Sequence, residues 1–572
     1  MKKLVYILSA FILAASCNVL DFDESSSQYS RDDMYKTYSN IQKMLTNIYG
    51  YMPNKDIADV SSALRDCGSD DAEYADPDAS VQRFTNGNWT PVQTVDDKWS
   101  LYYGIRSANE YLTHWAYDEN NVLQATFDLS MYQYESKYKK WWEHINIYPY
   151  EAKVLRAYYF FELARRYGDI AMPLTMLTAE EANAIEKTPF DEVINFIVKE
   201  CDEAAQFLPT TYIGMLDDEV GRVTKGFALA VKAKALLYAA SPLHNPDGNR
   251  EKWQKAALAA KEIIDLNVYR LDPAEKANNY LSNEVIMAIA RSESQSFEKN
   301  NFPVRFTEGE RTSMAGTFPS QNLVDAFQTL GGYDITLGAD GWQTSDPAFD
   351  VSKPYEGRDP RFERAILANG MSFKGSTIET FVGGRDYSAT RNELGTVTGY
   401  YLRRYIQEST SFTPESTVTN RHQWIVYRYA EALMTYAEAL NEYLGSPTAT
   451  DATFTMSALD ALNQIRANAG MPDVAATSAS DFRDAVRREW RVEFAFEDHR
   501  FWDIRRWNIA QSVMGQLDGV EIVKNGQSYS YSRKVVESRT WASKMNLYPI
   551  PQAETFNNPN LTQNTGWLSN IE

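Results

Sequence analysis

The densest run of chemically capable side chains lies at 487–507, RREWRVEFAFEDHRFWDIRRW, where glutamates, aspartates, a histidine and arginines crowd together. Such a set could supply a general acid, a general base and a cationic clamp. Helical geometry argues against that use. Val486, Trp490, Phe494, Phe501 and Ile504 make an apolar stripe, and Glu497 with Arg500, like Asp503 with Arg506, stand three apart and pair along a helix. Glu489, Glu493 and Glu497 share a face on consecutive turns, side by side rather than across a cleft. The spacing predicts a helix tied to its neighbours by buried ion pairs, with His499 a structural hydrogen-bonding residue. HNPDGNR (244–250) alternates oxygen-bearing side chains around Gly248 but lacks the closing bidentate Glu of a calcium loop, so a plain turn is expected and no cofactor or metal. With three Cys and five His, neither a disulfide framework nor a rich metal centre is expected. Cys67 and Cys201 read equally as a bridge or as two buried thiols. Two further stretches gather polar groups with flat rings. SDDAEYADPDASVQRFTNGNWTP (69–91) holds Asp70, Asp71, Tyr74, Arg83, Asn86, Asn88 and Trp89 around the turn signals Asp76-Pro77 and Asn86-Gly87. Trp342 follows Asp340-Gly341, a turn able to expose it, with Phe306, Phe318 and Tyr333 nearby in sequence.

Elements that would position these residues are legible in the rest of the 572-residue chain. Lys2 and Lys3, the apolar stretch Leu4–Ala15 broken only by Ser9, and the small residues before Cys17 read as an export signal, too short to span a bilayer comfortably. No later segment holds 18 uncharged apolar residues. Helical periodicity or end signals mark 150–167, 189–207, 222–240, 251–266, 427–444, 455–469 and 481–508. Helices of this length joined by short turns suggest stacked hairpins, without a clean repeat consensus. Between them, 292–425 is rich in Gly, Ser, Thr, Pro and aromatics and reads as loops and short strands; the tail from about 510 is loop-rich, with short strand-like runs such as 519–523. A net charge of −20, from 77 acidic against 57 basic residues, repels polyphosphate and excludes nucleic acid as a partner.

Several stretches resemble a known family. Cys17 after its small residues resembles a bacterial lipobox, with Ala14 where a bulky residue is usual, and the acidic run Asn18–Glu24 resembles the surface-export signal of Bacteroidetes lipoproteins. EAKVLRAYYFFELARRYGDIAMP (151–173), GRVTKGFALAVKAKALLYAASPL (221–243), the charged run near 490 and NLYPIPQAETFNNPNLTQNTGW (546–567) resemble, in order, the signatures of the SusD/RagB family. The resemblance implies an all-α, tetratricopeptide-like helical-hairpin scaffold decorated by the loop-rich insertion. It implies a signal peptide (1–16), an N-terminal region with helical repeats (17–290) and a C-terminal region (291–572), packed as one globular unit. It also implies a lipid on Cys17, a place on the outer membrane facing the cell exterior, and a non-catalytic role: holding a glycan, or in some members a peptide, over a TonB-dependent transporter of the SusC type.

Sugar rings have apolar faces and polar edges, so a site for them needs flat aromatics beside carboxylate, amide or guanidinium groups. The 69–91 stretch resembles the family's N-terminal binding loop, which implies Trp89 as stacking platform with Asp71 and Arg83 as hydrogen-bonding partners and Tyr74 beside them; Trp342 is the candidate from the insertion. Trp99, Tyr102, Tyr103, Ile105 and Arg106 follow a helical pattern and read as packing. A glycoside hydrolase with paired carboxylates is the alternative from another class, but no local motif marks an acid–base pair.

Overall fold

The computed structural model describes residues 37–53, 57–114, 135–213, 220–273, 279, 281–390 and 394–567. The export signal and Cys17 lie outside the described residues. Helices neighbour one another in space as in sequence: α1 (Tyr38–Tyr49), α2 (Leu101–His114), α3 (Glu135–Tyr167), α4 (Phe190–Ala205), α5 (Lys225–Ala240) and α6 (Arg250–Asp265). Then come α7 (Tyr429–Leu444), α8 (Ala458–Ala469), α9 (Ala479–Glu493) and α10 (Arg500–Arg506). The expected helical scaffold is therefore present. Small residues explain its tightness. α5 is buried almost all round because its alanines let α4 and α6 approach from both sides. Gly104 on α2 lies so close to α3 that a Cβ there would stand 2.8 Å from the Tyr159 ring.

Two boundaries differ from the periodic reading. α3 runs 33 residues, starting well before 150 and carrying Pro149 inside it. The expected single helix over 481–508 is two helices, because Phe496 and Asp498 take φ of 65° and 66° and turn the chain between α9 and α10. Glu497 consequently faces Arg404 (2.6 Å) and Arg428 (2.9 Å) rather than Arg500, whereas Asp503–Arg506 pairs as expected at 2.7 Å. The segment 244–250 is a turn. The Asn245 amide bonds the Ala240 and Asn249 carbonyls, and Asn249 caps α6.

α6 packs on α7 although more than 160 residues separate them, so the insertion leaves the helical array and returns to the same place. An antiparallel ribbon closes its base: β2 (Val285–Ser294) pairs with β6 (Asn420–Arg428). β1 (Ala72–Tyr74), from the N-terminal loop, pairs with β3 (Thr317–Pro319) of the insertion, and within the insertion β4 (Ile335–Gly338) pairs with β5 (Gly341–Thr344). In the tail, β7 (Gln516–Asn525) and β8 (Ser528–Ser538) form a hairpin, longer than the short runs expected, and the Val520 amide donates to the Thr398 carbonyl to fasten it to the insertion. One hydrophobic cluster runs from Tyr38 to Trp567; a smaller one around Phe302, Phe373 and Tyr401 lies under the insertion.

Candidate functional site

The structure brings part of the 69–91 stretch to the insertion. β1 lies beside β3, with Tyr74 opposite Thr317. It does not make a stacking site of it. Trp89 is 3% exposed, its indole boxed by Phe84 (4.8 Å), Tyr548 (4.7 Å) and Trp567 (5.2 Å), so no ring face is open to a sugar. Asp71 is buried and bound by Arg491 (2.7 Å), and Asp70 takes two bonds from Arg500, each 2.8 Å. Burial resists ionisation of Asp70, but Arg491 and Arg500 more than offset it and hold its carboxyl well below the usual range. The acidic pair is thus an internal clamp between the N-terminal loop and α9–α10. Tyr74 is buried in β1. Arg83, half-buried, donates to the Thr94 carbonyl at 3.3 Å. Trp342 is 7% exposed, set edge-on to Tyr355 and Tyr531 with Arg358 over its ring at 5.4 Å, so the Asp340-Gly341 turn does not present it to solvent. Both Cys67 and Cys201 are buried free thiols.

An open aromatic surface occurs where packing alone was expected. Trp99 and Tyr102 are half-buried at the lip of a groove of about 260 Å³, and Tyr103 beside them is 65% exposed. Ile105, one face round α2, is fully buried and the half-buried Trp99 and Tyr102 pack against the core, so the packing expectation holds for these three and fails for the exposed Tyr103 and Arg106. Residues 99, 102, 103 and 106 recur at helical spacing, and Arg106 ends the stripe with an exposed guanidinium. The rings are fixed from behind. Trp99 sits edge-on to Tyr167 at 5.4 Å, and the Tyr102 hydroxyl donates to the Ala171 carbonyl at 3.0 Å, where burial pushes its pKa up.

Two other segments complete the groove. The 171–185 stretch is held by Asn109, whose amide donates to the carbonyls of Pro173 (2.9 Å) and Thr175 (3.2 Å) while its own oxygen accepts from Arg156 (2.7 Å). The C-terminal stretch around Glu554–Leu561 is held by the Asn558 amide, which donates to the Ile185 carbonyl at 2.8 Å. Burial pushes the Glu554 carboxyl up against a hydrogen bond from Trp99. Rings thus face a carboxylate and exposed amides at Asn183 and Asn557, the combination that holds a sugar by face and edge. The sequence signal for this groove was the pairing of Tyr103 and Arg106, polar-tipped residues on a helix whose other face is apolar.

Comparison with known proteins places this architecture. Residues 276–567 match the family model described as the SusD family, and residues 20–237 match one described as starch-binding associating with outer membrane. The chain belongs to the SusD family. SusD-like protein P2 of Formosa agariphila is 26% identical over 431 residues, 73% of this chain and 74% of that protein. A crystal structure of a SusD-like protein from Bacteroides fragilis superposes with a TM-score of 0.75 at 25% identity, covering 95% of this chain and 99% of the other. A SusD-like carbohydrate binding protein, also from Bacteroides fragilis, shares the fold with a TM-score of 0.69 at 24% identity, over 92% of this chain and all of the other.

Proposed function

We propose that this protein is a non-catalytic glycan-binding lipoprotein of the outer membrane, anchored through Cys17 and facing the cell exterior. In this reading it hands its glycan to a TonB-dependent transporter of the SusC type. The observation that carries the glycan reading is the groove-lining stripe Trp99–Tyr102–Tyr103–Arg106, exposed at Tyr103 and Arg106 and opposed by Glu554 and exposed amides. Family membership supports it, since one matching model is described by starch binding at the outer membrane and a structural relative is named for carbohydrate binding. Among the described residues Glu554 is the one carboxylate lining the groove, whereas acid–base glycoside hydrolysis uses two.

The test is calorimetric titration of the full chain in detergent against a polysaccharide panel beginning with starch. An aromatic contact contributes about 0.5–1.5 kcal/mol, so Tyr103→Ala should weaken the glycan that binds by roughly three- to tenfold without lowering the melting temperature. Release of reducing sugar would overturn the non-catalytic reading. Binding that ignores Tyr103→Ala would overturn the groove, and binding to a peptide pool but to no glycan would make the cargo a peptide.

A further inference from the structure

A second concavity has a different character. A cleft of about 980 Å³ opens in the insertion, between the 355–364 segment, the 403–408 turn and the start of β6 at 421–423. Among its described lining residues are five arginines and two glutamates, in a chain whose net charge is −20. Carboxylates pair with two of the five arginines. Glu408 pairs with Arg403 at 2.9 Å, and Arg404 turns inward to Glu497 at 2.6 Å. Arg364 and Arg421, half-buried and exposed, pair with no carboxylate among the described residues. Beneath them Arg358 is buried; it donates to the carbonyls of Val324 (2.6 Å), Phe327 (2.7 Å) and Pro354 (3.2 Å) and lies over the Trp342 and Phe362 rings. Burial pushes its pKa down to about 10, against the opposing pull of Tyr400, Asp325, Tyr355 and Asp359. The 403–408 turn is fixed by Tyr405 at φ 64°, a conformation rare for a non-glycine residue, and the exposed Gln407 carboxamide beside it offers a donor and an acceptor to hydroxyls.

We infer that this cleft is a second ligand site, separate from the Trp99 groove, and that it takes a sugar bearing an oxyanion, either the carboxylate of a uronate or a sulfate ester. Arginine forks match both groups and form charge-assisted bonds with them. The volume suits an oligosaccharide rather than a single small anion. That the anion belongs to a sugar rests on the function proposed above; that the ligand is anionic rests on the cleft alone.

The experiment titrates the full chain with oligogalacturonate, with sulfated dextran oligosaccharide, with neutral dextran oligosaccharide and with poly-glutamate, at 50 mM and at 300 mM salt. Arg364→Gln/Arg421→Gln is measured alongside, with its melting curve as the folding control. The expected result is that at least one anionic oligomer binds and that salt weakens it. The double variant should lose at least tenfold in affinity for that oligomer while its melting temperature is unchanged, and neutral dextran should show no arginine dependence. The uronate and sulfate arms tell the two chemistries apart. The inference is overturned if neither anionic oligomer binds, if the double variant binds it equally well, or if poly-glutamate alone shows the arginine dependence. Failure of the Trp99 groove appears separately, in the neutral-glycan titrations of Tyr103→Ala.

Discussion

Asp70 and Arg500 lie 430 residues apart and meet through two 2.8 Å bonds inside the protein. Replacing Asp70 with Ala removes the partner of Arg500 and weakens the hold on Arg491, leaving buried cationic charge uncompensated. Destabilisation of about 3–5 kcal/mol is expected, read as a lower urea midpoint with unchanged slope. His244 makes a second residue-level prediction. It stacks on Phe190 at 3.6 Å, and burial, together with the nearby Lys252 charge, pushes its pKa down to about 4 against an opposing Asp191. The neutral imidazole is therefore favoured in the folded state. Its contribution is complete above the unfolded value near 6.5 and is lost as pH falls toward 4, by about 2 kcal/mol at pH 5. Between pH 7 and pH 5, the wild type should lose more stability than His244→Phe; equal losses would contradict the assignment. At this scale the sequence showed which charges were present and not which ones meet. The acid–Arg–Trp pattern of 69–91 is real, but Trp89 serves the core and Asp71 a clamp, because their partners come from the distant residues 491–567.

Helices were legible as elements because each one buries a face that repeats at helical period. The ends of α4, α5, α6 and α8 fall within a few residues of expectation, and Gly470 at φ 79° closes α8 as its type allows. The break between α9 and α10 was hidden, since Phe496 is a bulky residue that rarely adopts positive φ. The groove was hidden for a related reason: an aromatic stripe beside a buried one looks like packing until the third dimension shows which side faces solvent. Close approach of α2 and α3 gives an element-scale prediction. Ala at Gly104 gains about 1 kcal/mol of helix propensity, but its Cβ would stand 2.8 Å from both the Tyr159 ring and the Tyr51 Cβ. Overpacking of about 1–3 kcal/mol outweighs that gain, so Gly104→Ala should lower the melting temperature, and a rise would show that the helices shift apart freely.

Across the whole molecule, the insertion is bound to the helical array by a chain of buried ion pairs. Arg428, at the end of β6, bonds Glu284 (2.6 Å), Glu493 (2.8 Å) and Glu497 (2.9 Å), and Arg361 bonds Asp359, Glu489 and Glu493. The charged run near 490 is thus the structural tie its spacing predicted, with partners drawn from the insertion. Arg428→Met leaves Glu284 without an arginine and Glu493 and Glu497 with one each, and should destabilise by about 3–5 kcal/mol. Scaffold and insertion should still unfold in one calorimetric transition, since one hydrophobic cluster spans them; a separate early transition for the insertion would contradict this. The most direct test of the account is a crystal structure of the chain with the tightest-binding neutral oligosaccharide from the panel. The account predicts a sugar ring lying against Tyr103 and Trp99 with its hydroxyls toward Arg106 and Glu554. An oligosaccharide found elsewhere, with the groove empty, would contradict it.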